Sequence, residues 1–213
     1  MVKTPIVKDG YPFIGLAAAV AALLLATGHY YWSVFPVVIT LFFAFFFRNP
    51  HREVMADDSL LLAPADGRVM SITELFDDEF LGEEAIKVVI FLSVFDVHIN
   101  RSPIRGEIKY QRYTCGGFRP AFEKKASFEN ERHAIGVENE GLKVLVIQVA
   151  GLLARRIVSW VTVGHHLTQG DRYGMIKFAS STELIVPKAK VEIFAKKGQH
   201  VVGGETVIGR IVK

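Results

Sequence analysis

The 213-residue chain is long enough for one mid-sized domain with a real core plus an appendage, and half of its residues are hydrophobic. A net charge of +3 suits contact with an anionic membrane surface but is too small to argue for nucleic acid, and no RNA-binding, zinc-finger or helix-turn-helix pattern occurs. The single cysteine, Cys115, excludes an internal disulfide framework and a paired-cysteine metal site.

The hydrophobic surplus lies near the N-terminus. "YPFIGLAAAVAALLLATG" and "YYWSVFPVVITLFFAFFF" are uncharged apolar runs of 18 residues each, separated only by His29. About 20 apolar residues cross a bilayer as a helix. The runs exceed signal-peptide length, and they lack the polar face that helices in a soluble core retain. Tyr30, Tyr31 and Trp32 occupy the tip as interfacial aromatics, and Lys3, Lys8, Arg48 and Arg52 flank the outer ends. By the positive-inside rule, residues 1–47 are expected to form a helical membrane hairpin with both ends in the cytoplasm. Pro36 leaves a shallow re-entrant hairpin as the alternative.

From residue 48 the pattern changes to short β-branched runs broken by Gly, Pro or charged turns. They are "LLLAPADGRVMSI", "AIKVVIFLSV", "GEIKYQRYT", "KVLVIQVAG", "RRIVSWVTV", "ELIVP", "VEIFA" and "ETVIGRIV". Their length and frequency predict a mainly β, antiparallel domain over 48–213, barrel-like or sandwich. "RPAFEKKASFENERHA" is expected to be a short helix and loop. The tail "AKKGQHVVGGETVIGRIV" resembles the end of a biotinyl/lipoyl hammerhead in shape but carries no carrier-lysine motif. No phosphate-cradling glycine loop occurs, which argues against a nucleotide cofactor.

Three polar spots interrupt the apolar strands. "PADGRV" places Asp66 in a turn, where an ordinary Asp-Gly turn is the simplest reading. "FLSVFDVHINRSP" places Asp96, His98 and Arg101 just beyond a strongly apolar strand, and alternation puts Asp96 and His98 on one face. "GMIKFASSTELIVP" sets Ser180, Ser181 and Thr182 at a break between two strands, where a polar turn is the simplest reading. His165 and His166 lack a third ligand at metal spacing, which argues against zinc.

Read together, "LLAPADGRV", "FLSVFDVHINRSPIRGEI", "ENERHAIGVE", "IQVAGLLARRIVSWV" and "GDRYGMIKFASSTELIVP" occur in the order and spacing of phosphatidylserine decarboxylases. The chain resembles their short membrane-anchored bacterial and archaeal group over essentially its whole length. The resemblance implies that Ser180 attacks its own preceding peptide bond, splitting the chain into a β subunit, 1–179, and an α subunit, 180–213. Ser180 then becomes an N-terminal pyruvoyl group, a covalent cofactor whose ketone takes up the substrate amine and accepts the electrons left by carbon dioxide. It also implies that His98 activates Ser180 or later supplies a proton to the substrate carbon, and that Asp66 orients an imidazole. The long enzymes of the family carry a second histidine where this chain has Arg101. Either His98 then serves both steps, or Arg101 binds the anionic carboxylate or phosphate of the lipid, with phosphate the preferred reading. Family members have glycine before the reactive serine, whereas this chain has Ala179, so cleavage at Ala179–Ser180 is expected to be impaired.

The implied partners are a serine phospholipid, the membrane, and the two subunits from one chain; nucleic acid is not expected, and a homo-oligomer is left open. The implied location is the cell membrane, with the catalytic domain on its cytoplasmic face. Phosphatidylserine and archaetidylserine share the reacting headgroup. Arg105, Arg112, Arg119, Lys124 and Lys125 read first as a solvated face and second as lipid-phosphate contacts. Two other classes compete. One is a membrane-anchored hammerhead binding or carrier module, against which the missing carrier lysine counts. The other is a serine hydrolase built on Ser180, His98 and Asp66, which lacks the expected nucleophile elbow.

Overall fold

The computed structural model describes residues 4–55, 57–117, 129–151, 156–177 and 180–212. The chain divides into two compact units, residues 1–51 and 52–213.

In the first unit, helix α1 (Tyr11–Ala26) and helix α2 (Tyr30–Phe46) are joined by a three-residue turn. Pro12 stands in the first turn of α1, where its missing N–H costs no helical hydrogen bond. Gly28 sits past the end of α1 with φ +77, a left-handed conformation that glycine adopts without penalty. Phe13 of α1 packs on Phe43 and Phe47, with ring centroids 5.5 and 5.4 Å apart. The base is tied by Val7 N–H donating to the Phe47 carbonyl at 3.0 Å and Asn49 N–H donating to Pro5 at 2.7 Å. Leu16, Leu23, Phe35 and Leu41 remain exposed, so the apolar surface is turned outward. The helical stretch Lys8–Ala26 is long and apolar enough to cross a membrane, while α2 is a shorter apolar helix of 17 residues.

The second unit is mainly β, as the spacing of the apolar runs predicts. Its largest sheet is antiparallel and has the order β13-β2-β3-β11-β7-β6-β5-β9. The strands are β2 (Gly67–Asp77), β3 (Glu83–Leu92), β5 (Gly106–Thr114), β6 (Arg132–Asn139), β7 (Leu142–Ala150), β9 (His166–Leu167), β11 (Ser180–Pro187) and β13 (His200–Val201). Two three-stranded sheets accompany it. One orders β1 (Leu60–Leu62), β14 (Val207–Ile211) and β12 (Val191–Ile193) as β1-β14-β12, and the other orders β4 (Ile99–Arg101), β10 (Arg172–Lys177) and β8 (Arg156–Ser159) as β4-β10-β8.

The large sheet is curled, and both of its faces are covered. On the inner face Val69, Val88, Ile90, Ile135, Val146, Leu184 and Val186 pack with Leu61, Val191 and Ile208 of the β1-β14-β12 sheet. On the outer face Ala85, Ala134, Leu145, Ile147, Val149 and Ile185 pack under Leu81 and Phe80. Asp77 holds that cover down by accepting the Phe80 and Leu81 N–H groups at 3.0 and 2.8 Å. Burial on both faces explains why β7 and the second half of β11 read as near-continuous apolar runs rather than alternating ones.

Two expectations need correction. The run expected to end as helix and loop at residue 134 instead enters β6 at Arg132, where Arg132 pairs with Val149 and His133 with Gln148. Residues 119–128 of that run lie outside the described residues. The hydroxyl cluster is not a turn. Ser180, Ser181 and Thr182 begin β11, and each is paired on both sides.

Candidate active site

β11 is a central strand held between β3 and β7. Ser180 pairs with Leu92 on one side and Ala150 on the other, and its side chain is fully buried. Successive side chains in a strand alternate between faces, so Ser180 and Thr182 share the inner face with Leu184 and Val186. The Ser180 hydroxyl has no hydrogen-bond partner among the described residues. Leaving a buried hydroxyl unsatisfied costs about 1–3 kcal/mol, so the position calls for an explanation. Ala179, the other residue expected at the cleavage site, lies outside the described residues.

His98 is also fully buried. Its Nδ1 lies 3.0 Å from the Asp96 carbonyl oxygen. A carbonyl only accepts, so Nδ1 carries the proton and Nε2 is the basic nitrogen of the neutral ring. The His98 carbonyl accepts Ile176 N–H at 3.1 Å, which fixes the residue against the end of β10 that leads to Ser180.

Asp96 does not share a strand face with His98. It sits in the Ser93–Asp96 turn, where its carboxylate accepts the Ser93 N–H and Oγ–H, both at 2.8 Å. Its other oxygen meets His200 Nε2 at 3.2 Å. Burial pushes this carboxyl up, but the Ser93 donors and His200 outweigh burial and leave it below the usual carboxylate value.

Asp66 stands immediately before β2, where Gly67 has φ +144 and a Cβ would collide with the Phe91 carbonyl oxygen. The glycine lets the chain pass that close and so sets where Asp66 points. Among the described residues Asp66 meets no imidazole. One oxygen accepts Arg52 at 2.6 Å and the other accepts Gly203 N–H at 2.8 Å. Burial raises its carboxyl above the usual value, while the Arg52 cation and the Gly203 N–H oppose that rise. Its hydrogen-bond partners are thus Arg52 and Gly203 where an imidazole is expected.

Arg101 joins the same cluster. It is buried, and its guanidinium donates to the Gly170 carbonyl at 3.0 Å. Burial, with the neighbouring Arg52 and Arg172 cations, lowers its pKa to about 10, while Asp66 and Glu205 oppose the shift. It stays charged at neutral pH. Three guanidiniums around two carboxylates leave a net positive spot suited to an anionic headgroup.

Sequence reasoning missed a buried chain of polar side chains on the inner face. Gln111 Nε2 lies 2.9 Å from His133 Nε2, and His133 Nδ1 lies 3.1 Å from Gln148 Oε1. Gln148 Nε2 donates to Asn100 Oδ1 at 2.8 Å, and Asn100 Nδ2 donates to Thr182 Oγ1 at 2.8 Å. The available signal was the inward position of Gln148 and His133 in strands whose other inward residues are apolar. Among the described residues no group of three or more His, Cys, Asp or Glu side chains has metal-binding geometry.

These features define a mainly β domain with a serine buried at the head of a central strand. Comparison with known proteins narrows that class to one family. The family model described as phosphatidylserine decarboxylase matches residues 39–209. A phosphatidylserine decarboxylase proenzyme from Carboxydothermus hydrogenoformans is 44% identical over 98% of this chain and 99% of its own length. One from Symbiobacterium thermophilum is 46% identical over 98% and 97% of the two chains, and one from Geobacter metallireducens is 42% identical over 97% of each. The chain belongs to the phosphatidylserine decarboxylase family.

Proposed function

We propose that the chain is the proenzyme of a membrane-bound, pyruvoyl-dependent decarboxylase that converts phosphatidylserine to phosphatidylethanolamine and carbon dioxide. The observation that carries this reading is the buried Ser180 hydroxyl, partnerless among the described residues, at the head of the central strand. The related proteins bear the name proenzyme, which supports a maturation step.

Ser180 Oγ attacks the Ala179 carbonyl carbon, the peptide C–N bond breaks, and the nitrogen takes up the proton given up by the hydroxyl, which leaves an ester and a free amine on residue 180. Elimination of that ester releases residues 1–179 with a C-terminal carboxylate. Water then replaces the imine nitrogen of the remaining dehydroalanine, releasing ammonia and leaving a ketone. A ketone held there supplies the electron sink that no ordinary side chain offers.

The residues present fit that group. The inner-face position of Ser180 is enclosed by β3 and β7 and shielded from bulk water. His98, protonated at Nδ1, presents Nε2 as the base for the Ser180 proton and as a later proton carrier. Arg101, with Arg52 and Arg172 nearby, binds the lipid phosphate, and Asp66 holds Arg52 in place. The outward apolar surface of α1 and α2 anchors the chain in the bilayer, with the basic flanks setting a cytoplasmic orientation. Ala179 in place of glycine slows maturation without changing its chemistry.

Intact mass measurement and gel electrophoresis of the purified chain test the proposal. Cleavage is expected between residues 179 and 180, faster in Ala179→Gly and absent in Ser180→Ala. A decarboxylase active on phosphatidylserine with an unbroken backbone would overturn it.

A further inference from the structure

The buried polar chain has a direction. Gln148 Oε1 only accepts, so His133 Nδ1 carries the proton and His133 Nε2 accepts from Gln111. Each following link then donates toward β11: Gln148 to Asn100, and Asn100 to Thr182. A chain whose donors all point one way is polarised cooperatively, and each amide is fixed against flipping.

The last link joins the two short segments that carry the proposed reacting groups. His98 and Asn100 are two residues apart, as are Ser180 and Thr182. β4 runs antiparallel to β10, with Ile99 opposite Met175, and the His98 carbonyl accepts Ile176 N–H. Ser180 follows Ile176 by four residues, a reach of at most about 14 Å. The Asn100–Thr182 bond thus ties the strand that follows His98 to the strand that Ser180 heads, two residues beyond each of them.

Gly174 keeps the chain in place from the other side. A Cβ there would sit 3.1 Å from Gln148 Nε2 and collide with the Val158 carbonyl oxygen. The strand leading to the cleavage site thus rests directly on the middle of the polar chain.

We propose that Asn100 and Thr182 are positioning residues that clamp the register between His98 and Ser180, with Gln148, His133 and Gln111 holding Asn100 in its donating orientation. The clamp rests on the role given to His98 above. Its energetic value is geometric, because a displacement of about 1 Å at a reacting group costs up to about a hundredfold in rate.

The test uses the full-length, membrane-reconstituted chain and its Ala179→Gly form, with turnover expressed per cleaved chain. Thr182→Val keeps the shape and removes the acceptor oxygen, while Thr182→Ser keeps the oxygen. The clamp predicts that Thr182→Val lowers kcat about tenfold or more, leaves KM within about twofold, and shifts the pH limb that depends on His98. Thr182→Ser restores both kcat and the limb. Asn100→Leu is read in the same way if the valine variant does not fold. A folded Thr182→Val chain with parental kcat and an unmoved limb overturns the clamp, as does a serine variant no better than valine. His98→Ala with full turnover and an intact limb would instead sink the role of His98, a result distinct from a clamp that fails where His98 is essential.

Discussion

His133 shows how burial and hydrogen bonding together fix a protonation state. Burial lowers its pKa below the ordinary histidine value of 6.5, and the bond to Gln148 only partly offsets this. As pH falls through about 6.5 the unfolded chain takes up a proton that the folded chain refuses until lower pH. Stability contributed by the neutral ring is therefore complete above that value and is lost as the solution becomes more acidic. Thermal midpoints measured between pH 7.5 and 5 are expected to fall, and His133→Gln is expected to flatten that slope. Asp66 makes a second residue-scale prediction. Its partner Arg52 is mostly buried, so Arg52→Ala strands a carboxylate and is expected to cost about 3 kcal/mol in denaturant unfolding. The sequence pointed to Asp66, His98, Arg101 and Ser180 through family resemblance, but not to what they touch. Asp66 meets a guanidinium that lies 14 residues earlier rather than an imidazole, a pairing that depends on tertiary contact and leaves no local pattern.

At the scale of elements, strands with a continuous apolar pattern were legible, and those carrying polar work were not. β7 stands out because both of its faces are buried, and β3 because one face is buried and the other half-buried. β6 was missed because His133 faces inward for the polar chain and Gly136 yields space to the Phe80 ring, so its run of apolar residues is broken. The start of β11 was misread for a related reason. Three hydroxyls resemble a turn, yet pairing with β3 and β7 satisfies the backbone, and Asn100 meets the Thr182 hydroxyl. β10 carries an element-scale prediction. Gly174→Ala crowds the Val158 carbonyl and the Gln148 amide, so it is expected to cost about 1–3 kcal/mol of stability. If the clamp operates, turnover of the folded fraction falls as well.

At the scale of the whole molecule, the boundary between an apolar helical unit and a β-rich unit was the most legible feature, because composition changes abruptly near residue 50. Deleting residues 1–47 is expected to move the protein from the membrane pellet toward the supernatant, measured by flotation with anionic vesicles. The central claim joins both units in one purpose, which is the conversion of a buried serine into a ketone for a serine lipid. Its most direct test is the intact mass of the small fragment after maturation of the Ala179→Gly chain. The account predicts a fragment spanning residues 180–213, lighter by one ammonia than the same peptide with an N-terminal serine, and labelled by a carbonyl reagent. An active enzyme whose residue 180 remains an unmodified serine would contradict it.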